Sequence, residues 1–284
     1  MWIKSLDSFH LFMYKQYRKD VVSVDFSGLL QGSEGYMIRT ICGWPPTPFS
    51  TTRFYLPGYP ESYIVKETVR QLEILRVHFP RMDLRISPLV FSRSLLCIAP
   101  REGLFVVLSW KAFSTDYADA CKIVLAALER SRACIGGFQD NSHGPISSET
   151  LRLCPRTEMA LAAISESQHN SEALLIGAQL GKRYYGKCVQ AARLHFKGNL
   201  SEFELDPFSA ACILITHTDR FVSPNNLGFY CAGAEYALKA RAGFFYSLGF
   251  KMSYERTRGS YLSLFSQATG QADGHFGSAT GCVI

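Results

Sequence analysis

The feature of this sequence that most constrains the fold is the run of residues 208–216, which is apolar on every side. A helix of this kind must be buried, because no face of it suits water. Asp206 and Pro207 stand directly before it. Aspartate is a favoured N-cap, and proline fits the first helical turn, where no backbone donor is needed. The sequence therefore predicts a buried helix that begins after Asp206.

Helical and strand patterns follow one another in a mixed order. Residues 64–79 and 116–130 have an apolar stripe at helical spacing, and Pro155 fits the start of a helix through residue 164. Short apolar runs predict strands at residues 174–176, 229–231, 244–254 and 261–265. This order favours an α+β fold, a mixed sheet with packed helices in a single compact body, over the alternative of a three-layer α/β fold.

The composition suits one large globular domain. Of the 284 residues, 47% are hydrophobic and 19% are charged, which provides ample material for a core. We expect residues 21–284 to form this domain, with a possible internal boundary in the Gly-rich and Pro-containing residues 136–146. Residues 1–20 are expected to form an N-terminal helical extension, either docked or mobile.

Cysteine usage and hydropathy indicate the compartment. The nine cysteines form no CxxC pair, and most lie in apolar runs, which is typical of buried thiols rather than of a disulfide framework. That usage predicts a reducing compartment, the cytoplasm. No apolar run reaches the ~18 residues that a membrane span needs, so we expect a soluble protein with no membrane partner.

The most basic stretch, residues 173–198, contains a near match to a nucleotide phosphate loop. Residues 181–188 read Gly-Lys-Arg-Tyr-Tyr-Gly-Lys-Cys, one residue from the pattern G-x-x-x-x-G-K-[ST]. Cys188 replaces the hydroxyl that would bind magnesium, and a thiol is a poor ligand for that cation. Bulky side chains also fill the loop interior. The near match therefore predicts affinity for an anion, with no hydrolysis.

Local charge supports the same prediction. No acidic residue lies between Glu172 and Glu202, whereas five lysines and arginines do, and the whole chain carries a formal net charge of +6. Such a segment suits a phosphorylated small molecule or a single-stranded nucleic acid. No particular cofactor is indicated. The predicted ligand-binding residues, at a basic strand-to-helix junction, are Gly181, Lys182, Arg183, Gly186 and Lys187.

Two other classes of function stay open. The first is an enzyme of unassigned reaction, with a site near His217, Asp219, Cys231 or Glu235, because these residues flank apparently buried elements. The second is a structural or protein-interaction role with no small-molecule site. The seven histidines show no metal-ligand spacing, so no metal site is expected.

Two segments carry a resemblance to other proteins. Residues 175–187 read Leu-Ile-Gly-Ala-Gln-Leu-Gly-Lys-Arg-Tyr-Tyr-Gly-Lys, and residues 227–236 read Leu-Gly-Phe-Tyr-Cys-Ala-Gly-Ala-Glu-Tyr. Both are similar to segments of a family of uncharacterised bacterial hypothetical proteins, over much of residues 26–284. The resemblance implies no fold, function or site residue.

Overall fold

A computed structural model of the chain describes residues 58–88, 90, 102–133, 136–196, 202–238 and 246–282. The predicted extension at residues 1–20 lies outside the described residues. Within them the α-helices are α1 (Thr68–His78), α2 (Tyr117–Arg132), α3 (Pro155–Ser167), α4 (Val189–Phe196) and α5 (Pro207–Thr216). Two short 3₁₀ turns span Trp110–Ala112 and Thr218–Arg220.

In the described parts of the chain, ten strands form one mixed sheet. They are β1 (Gly103–Leu108), β2 (Phe138–Asn141), β3 (Leu151–Leu153), β4 (Ala173–Tyr185), β5 (Glu202–Glu204), β6 (Gly228–Tyr230), β7 (Ala234–Tyr236), β8 (Tyr246–Glu255), β9 (Gly259–Ala268) and β10 (Phe276–Cys282). The main order is β1-β4-β10-β6-β8-β7-β3, while β5 pairs with β10 and β9 joins β8 to β2. Most pairs are antiparallel, but β10 with β6 and β2 with β9 are parallel. The predicted α+β fold with a mixed sheet is confirmed.

Helix α5 occupies the position that its composition requires. Every residue from Pro207 to Thr216 is buried, and the helix packs against α1, α2 and β1. The Asp206 side chain caps it by accepting the N–H groups of Phe208 and Ser209. Burial of an all-apolar helix removes a large area from water, at roughly 25 cal/mol per Å² of apolar surface. Because α5 is buried, the turn that follows it is also held in the interior, where His217 and Arg220 are buried.

Helix α1 is attached to β1 by a polar side chain as well as by apolar contacts. Gln71 is fully buried, donates to the carbonyl of Leu104 and accepts the N–H of Val106. Leu72 and Leu75 are buried as the sequence predicts, while Val69, also assigned to the apolar stripe, is 64% exposed. The buried amide fixes the residues before α1 relative to the start of β1.

Strands from both sides of residues 136–146 pair in this sheet: β1 precedes these residues, β4 follows them, and the two strands are antiparallel neighbours.

The longest strand, β4, also pairs with β10, with a shift of register between Gly277 and Ala279. The sequence predicts only residues 174–176 of it. Pairing with β1 ends at Ala178, so β4 is extended to Tyr185 by its pairing with β10, which the pattern of its own residues does not indicate.

Candidate functional site

The predicted anion-binding residues lie at the end of β4 and in the turn that follows it. Strand β4 continues through Tyr185, Gly186 forms a turn, and α4 begins only at Val189. Residues 181–185 are therefore strand rather than phosphate-type loop. A side chain at Gly181, where φ is +100°, would place its Cβ 3.0 Å from the Gly277 carbonyl oxygen and from Phe229 Cβ. Close packing of strands explains this glycine.

The backbone amides of this segment donate to acceptors within the protein. The amides of Gly181 and Arg183 both donate to Gln179 Oε1, at 2.9 and 3.2 Å. The Gly186 amide donates to the Phe276 carbonyl and the Lys187 amide to the Tyr184 carbonyl. They do not converge on an open anion site. The anion affinity of these five residues stays a prediction, and it would depend on side chains.

Folding also pairs part of the basic charge. Arg183 Nη1 lies 3.1 Å from Glu202 Oε2, and Arg193 Nη1 lies 3.4 Å from Glu235 Oε1. Lys187 Nζ lies over the Tyr184 ring, 5.6 Å from its centroid. The local excess that the sequence indicates is thus smaller in the folded chain, because acidic residues distant in sequence neutralise it.

His217 and Asp219, two residues of the enzyme alternative, both contact Lys66. His217 Nε2 accepts the Lys66 backbone N–H at 2.9 Å, and Asp219 Oδ1 pairs with Lys66 Nζ at 2.5 Å. Burial lowers the pKa of His217 to about 4, so its ring is neutral at neutral pH. These contacts connect the turn after α5 to the segment before α1.

Cys231 and Glu235, the other two, are separate from that pair. Cys231 is fully buried, and desolvation raises its thiol pKa well above the usual value, so it is not a thiolate nucleophile at neutral pH. Glu235 pairs with Arg152 at 2.6 Å and with Arg193. In the described part of the chain, no hydrogen bond or ion pair joins any two of His217, Asp219, Cys231 and Glu235.

The 3₁₀ turn after α5 carries a buried arginine with unpartnered nitrogens. Arg220 has 0% exposure, and its Nη2 donates to the carbonyls of Leu180, at 3.2 Å, and Leu227, at 2.9 Å. Among the residues that the structure describes, its Nε and Nη1 have no hydrogen-bond partner. Burial lowers the pKa of Arg220 to about 10, so the guanidinium remains charged at neutral pH. No carboxylate among the described residues lies in ion-pair contact with it.

Aromatic rings surround this guanidinium. The Tyr59 ring centroid lies 3.8 Å from Arg220 Cζ, a stacked cation–π distance, and the Tyr63 ring lies 5.8 Å away. The buried Tyr63 hydroxyl also lacks a partner. Lys182 Nζ approaches Tyr59 from strand β4, 5.9 Å from the ring centroid.

Glu102 brings a carboxyl group into the same set. Its Oε1 accepts the Leu180 N–H at 2.8 Å and the Tyr59 hydroxyl, whereas the buried Oε2 has no partner. Burial raises the pKa of Glu102 to about 7, against the opposing effects of the Leu180 N–H, Arg220 and Lys182. We name this set, Tyr59, Tyr63, Glu102, Lys182 and Arg220, the Arg220 site.

Other residues hold the turn that presents Arg220. Arg132, from the end of α2, donates from Nη1 to the Thr218 carbonyl at 2.5 Å and from Nη2 to the Phe221 carbonyl at 3.1 Å. Lys66 holds the same turn through His217 and Asp219. The backbone on both sides of Arg220 is therefore fixed by contacts to two other elements.

Of the predicted binding residues, only Lys182 belongs to the Arg220 site. Sequence reasoning did not select Glu102 or Arg220. One local signal was present: Arg220 lies in the short connection between the all-apolar helix and Phe221.

An apolar surface cavity of about 600 Å³ is lined by none of the five residues of the Arg220 site. Its lining residues are Val65, Lys66, Glu67, Thr68, Val69, Leu72, Ile86, Gly103 and Leu104. Residues 181–187 do not line it. Across the described ranges, no group of three or more His, Cys, Asp or Glu side chains has an arrangement suited to a metal ion.

Comparison of the chain with protein-family models, with curated proteins and with solved structures gave no significant match. The resemblance of residues 175–187 and 227–236 to bacterial proteins therefore stays a prediction. None of the helices in the described residues is both long and apolar enough to cross a membrane.

Proposed function

We propose that the protein binds a small anionic ligand, bearing a carboxylate or phosphate group, at the Arg220 site. The observation that carries this proposal is the complete burial of Arg220 with its Nε and Nη1 unpartnered. The proposal keeps the anion affinity predicted from the sequence. It assigns the affinity to converging side chains instead of to the amides of residues 181–187.

The free-energy cost of this arrangement supports the proposal. An unsatisfied buried polar group costs about 1–3 kcal/mol, and a charged one costs more. The Arg220 site combines such groups on Arg220, Tyr63 and Glu102. An anion that accepts hydrogen bonds from the arginine and the tyrosine would remove much of this cost, and the gain would appear as binding free energy.

The free donors of the site suit an anion with several oxygens. Because Nη2 is already bonded to two carbonyls, the unpartnered Nε and Nη1 lie on different edges of the guanidinium, and each can donate one charge-assisted hydrogen bond to an anion oxygen. The Tyr63 hydroxyl adds a neutral donor, and Lys182 adds a second positive charge. Because Arg220 is enclosed, the proposal concerns a small group rather than the backbone of a nucleic acid.

Thermal unfolding with two probes, sodium acetate and inorganic phosphate, tests the proposal at constant ionic strength maintained with sodium chloride. We expect at least one probe to raise Tm saturably, since a ligand at 100 times its Kd stabilises by about 2.7 kcal/mol. A rise no larger than that with sodium chloride alone, for both probes, would overturn the proposal.

Two variants assign the binding to this site. Arg220→Met should abolish the saturable effect. Tyr63→Phe removes a hydroxyl that has no partner, so it should raise the stability of the ligand-free protein by ~1 kcal/mol and weaken anion binding several-fold. The matched control is Tyr254→Phe, at a residue that is 64% exposed, which should change neither quantity. Unchanged anion binding in Tyr63→Phe and Arg220→Met would contradict the assignment.

A short single-stranded oligonucleotide serves as a further probe. The proposal predicts no oligonucleotide binding that depends on Lys182, which is exposed, and on Lys187, which is half-buried. Salt-sensitive binding that survives Arg220→Met but is lost when both lysines are changed to Ala would instead favour a nucleic-acid surface at the end of β4.

A further inference from the structure

We propose that Glu102 is a specificity-determining residue of the Arg220 site: the O–H group at its Oε2 donates a hydrogen bond to the bound anion, so that the anion is taken up together with one proton. This inference rests on the proposed function and deepens it. The ligand class is narrowed to small carboxylates and phosphate groups that accept a hydrogen bond from a carboxylic acid, while Arg220 supplies the positive charge.

The two oxygens of Glu102 have different environments. Oε1 is fixed by the Leu180 N–H, at 2.8 Å, and by the Tyr59 hydroxyl. Oε2 is buried without a partner. Because two hydrogen bonds hold Oε1, the carboxyl group has a fixed orientation. The proton of the acid form is then placed on Oε2, where no other donor competes with it. Protonated Oε2 is a donor, whereas ionised Oε2 is only an acceptor.

The charged and titratable groups around Glu102 come from three elements. Arg220 lies on the 3₁₀ turn and Lys182 on β4, and both interact electrostatically with the Glu102 carboxyl. Tyr59 donates to it from the segment before α1. Tyr63, from that same segment, interacts with Arg220 and with Asp219, whose carboxylate is paired with Lys66. Both positive charges favour ionised Glu102, so they act against its burial.

A bound anion changes this balance. With the site empty, burial brings the pKa of Glu102 to about 7, so the acid and its anion are both present at neutral pH. A ligand anion bound to Arg220 neutralises the positive charge that favours ionised Glu102. Its own negative charge also disfavours ionisation of the neighbouring Glu102 carboxyl. The pKa of Glu102 therefore rises further in the complex, and the proton is retained between carboxyl and ligand.

The linkage predicts a definite pH dependence. Below the pKa of the empty site, Glu102 already carries its proton and affinity does not change with pH. Above it, binding must recruit the proton from solution, so affinity falls about tenfold for each pH unit until the pKa of the complex is reached. An anion that leaves the pKa of Glu102 unchanged when it binds would instead have an affinity that is constant from pH 6 to pH 8.

Isothermal titration calorimetry with acetate tests the inference, because acetate does not itself titrate between pH 6 and pH 9. Titrations at pH 8 in buffers of different ionisation enthalpy report the number of protons taken up. We expect close to one proton per acetate, and a loss of affinity of about fivefold between pH 7 and pH 8, because Glu102 is already half ionised at pH 7. Glu102→Gln should bind acetate with no proton uptake and constant affinity over this range.

The control variant is Glu129→Gln, at an exposed position on α2, which should behave as the unchanged protein. Acetate binding with no proton uptake, or equal uptake in Glu102→Gln, would overturn this inference and leave the proposed function intact. Binding of phosphate without any binding of acetate at pH 6 would overturn the inference that small carboxylates belong to the ligand class. If neither anion binds at pH 6, the proposed function itself fails.

Discussion

Arg132 and Arg220 are two buried arginines on either side of the same turn, and they are bonded very differently. They have 1% and 0% exposure, and burial lowers the pKa of each to about 10. Arg132 uses both terminal nitrogens on the carbonyls of Thr218 and Phe221 and leaves only Nε unpartnered. Arg220 leaves Nε and Nη1 unpartnered, beside Glu102 and two tyrosines.

The difference teaches that burial of a charge does not by itself indicate function. Desolvation is the cause of the shifted pKa of Arg132, and its donors end on backbone, which is the pattern of a structural support. Arg220 combines desolvation with titratable neighbours and bare donors, the pattern expected where a ligand completes the hydrogen bonds. Arg132 holds the turn, and Arg220 projects from it.

The largest effect is expected from exchanging each arginine for methionine. Arg132→Met should cost about 3–4 kcal/mol of unfolding free energy, because two carbonyls lose hydrogen bonds from a charged donor, each of about 1.5–3 kcal/mol. Arg220→Met also removes hydrogen bonds to two carbonyls, but it should cost less than Arg132→Met, since it removes two unsatisfied nitrogens instead of one. Urea unfolding at pH 7 without added anions measures both. Equal losses would remove the distinction between the two arginines.

A second prediction concerns pH. The pKa of Glu102 is raised to about 7 in the folded chain, so its ionisation opposes folding. Stability from this group is complete below its unfolded pKa and is lost as pH rises through about 7, by up to about 3 kcal/mol, at 1.36 kcal/mol for each pKa unit. The difference in unfolding free energy between the unchanged protein and Glu102→Gln should fall from pH 4.5 to pH 7.

We expect Arg132 to contribute no such pH dependence to the unfolding free energy. In Arg132→Met, the contribution of Glu102 to the pH dependence of unfolding should be unchanged, provided that the turn still holds Arg220. If the difference in unfolding free energy between the unchanged protein and Glu102→Gln does not depend on pH, the Glu102 carboxyl is not desolvated. The electrostatic difference between the surroundings of Arg220 and those of Arg132 would then be absent.

The smallest effect is expected from the other contact of the turn. Lys66→Met removes the pair with Asp219 but keeps the backbone N–H that His217 accepts. Because both side chains are partly exposed, we expect a loss of ~0.5 kcal/mol in urea unfolding, close to that of the exposed control Lys122→Met, which breaks the pair with Asp119. A loss as large as that of Arg132→Met would mean that Lys66, rather than Arg132, supports the turn.

Local signals were enough to predict much of the fold. Asp206 and Pro207 predict the start of α5, and Pro155 predicts the start of α3, because caps and first-turn prolines act within a few residues. Strand β4 was predicted too short. Its extension depends on β10, which lies far along the chain, and no periodicity within residues 177–185 records that pairing.

The candidate site was harder to predict for the same reason. Tyr59, Glu102, Lys182 and Arg220 come from four separate segments, and only the sheet and the packing of α5 bring them together. Lys182 was found because a basic run is visible in the sequence. No residue near Glu102 in the sequence distinguishes it from other glutamates. Its proposed role follows from the burial of its carboxyl group and from Oε2, which has no hydrogen-bond partner among the described residues.

The position of β10 has a consequence for how the chain reaches this structure. It lies between β4 and β6 and also carries β5, although it follows all three in sequence. During folding, the edges of β4, β5 and β6 that pair with β10 therefore remain unpaired until residues 276–282 join the sheet. Such late, long-range closure predicts slow folding and exposure to aggregation beforehand. A chain truncated before residue 276 should accumulate as an aggregation-prone intermediate rather than as a smaller stable sheet.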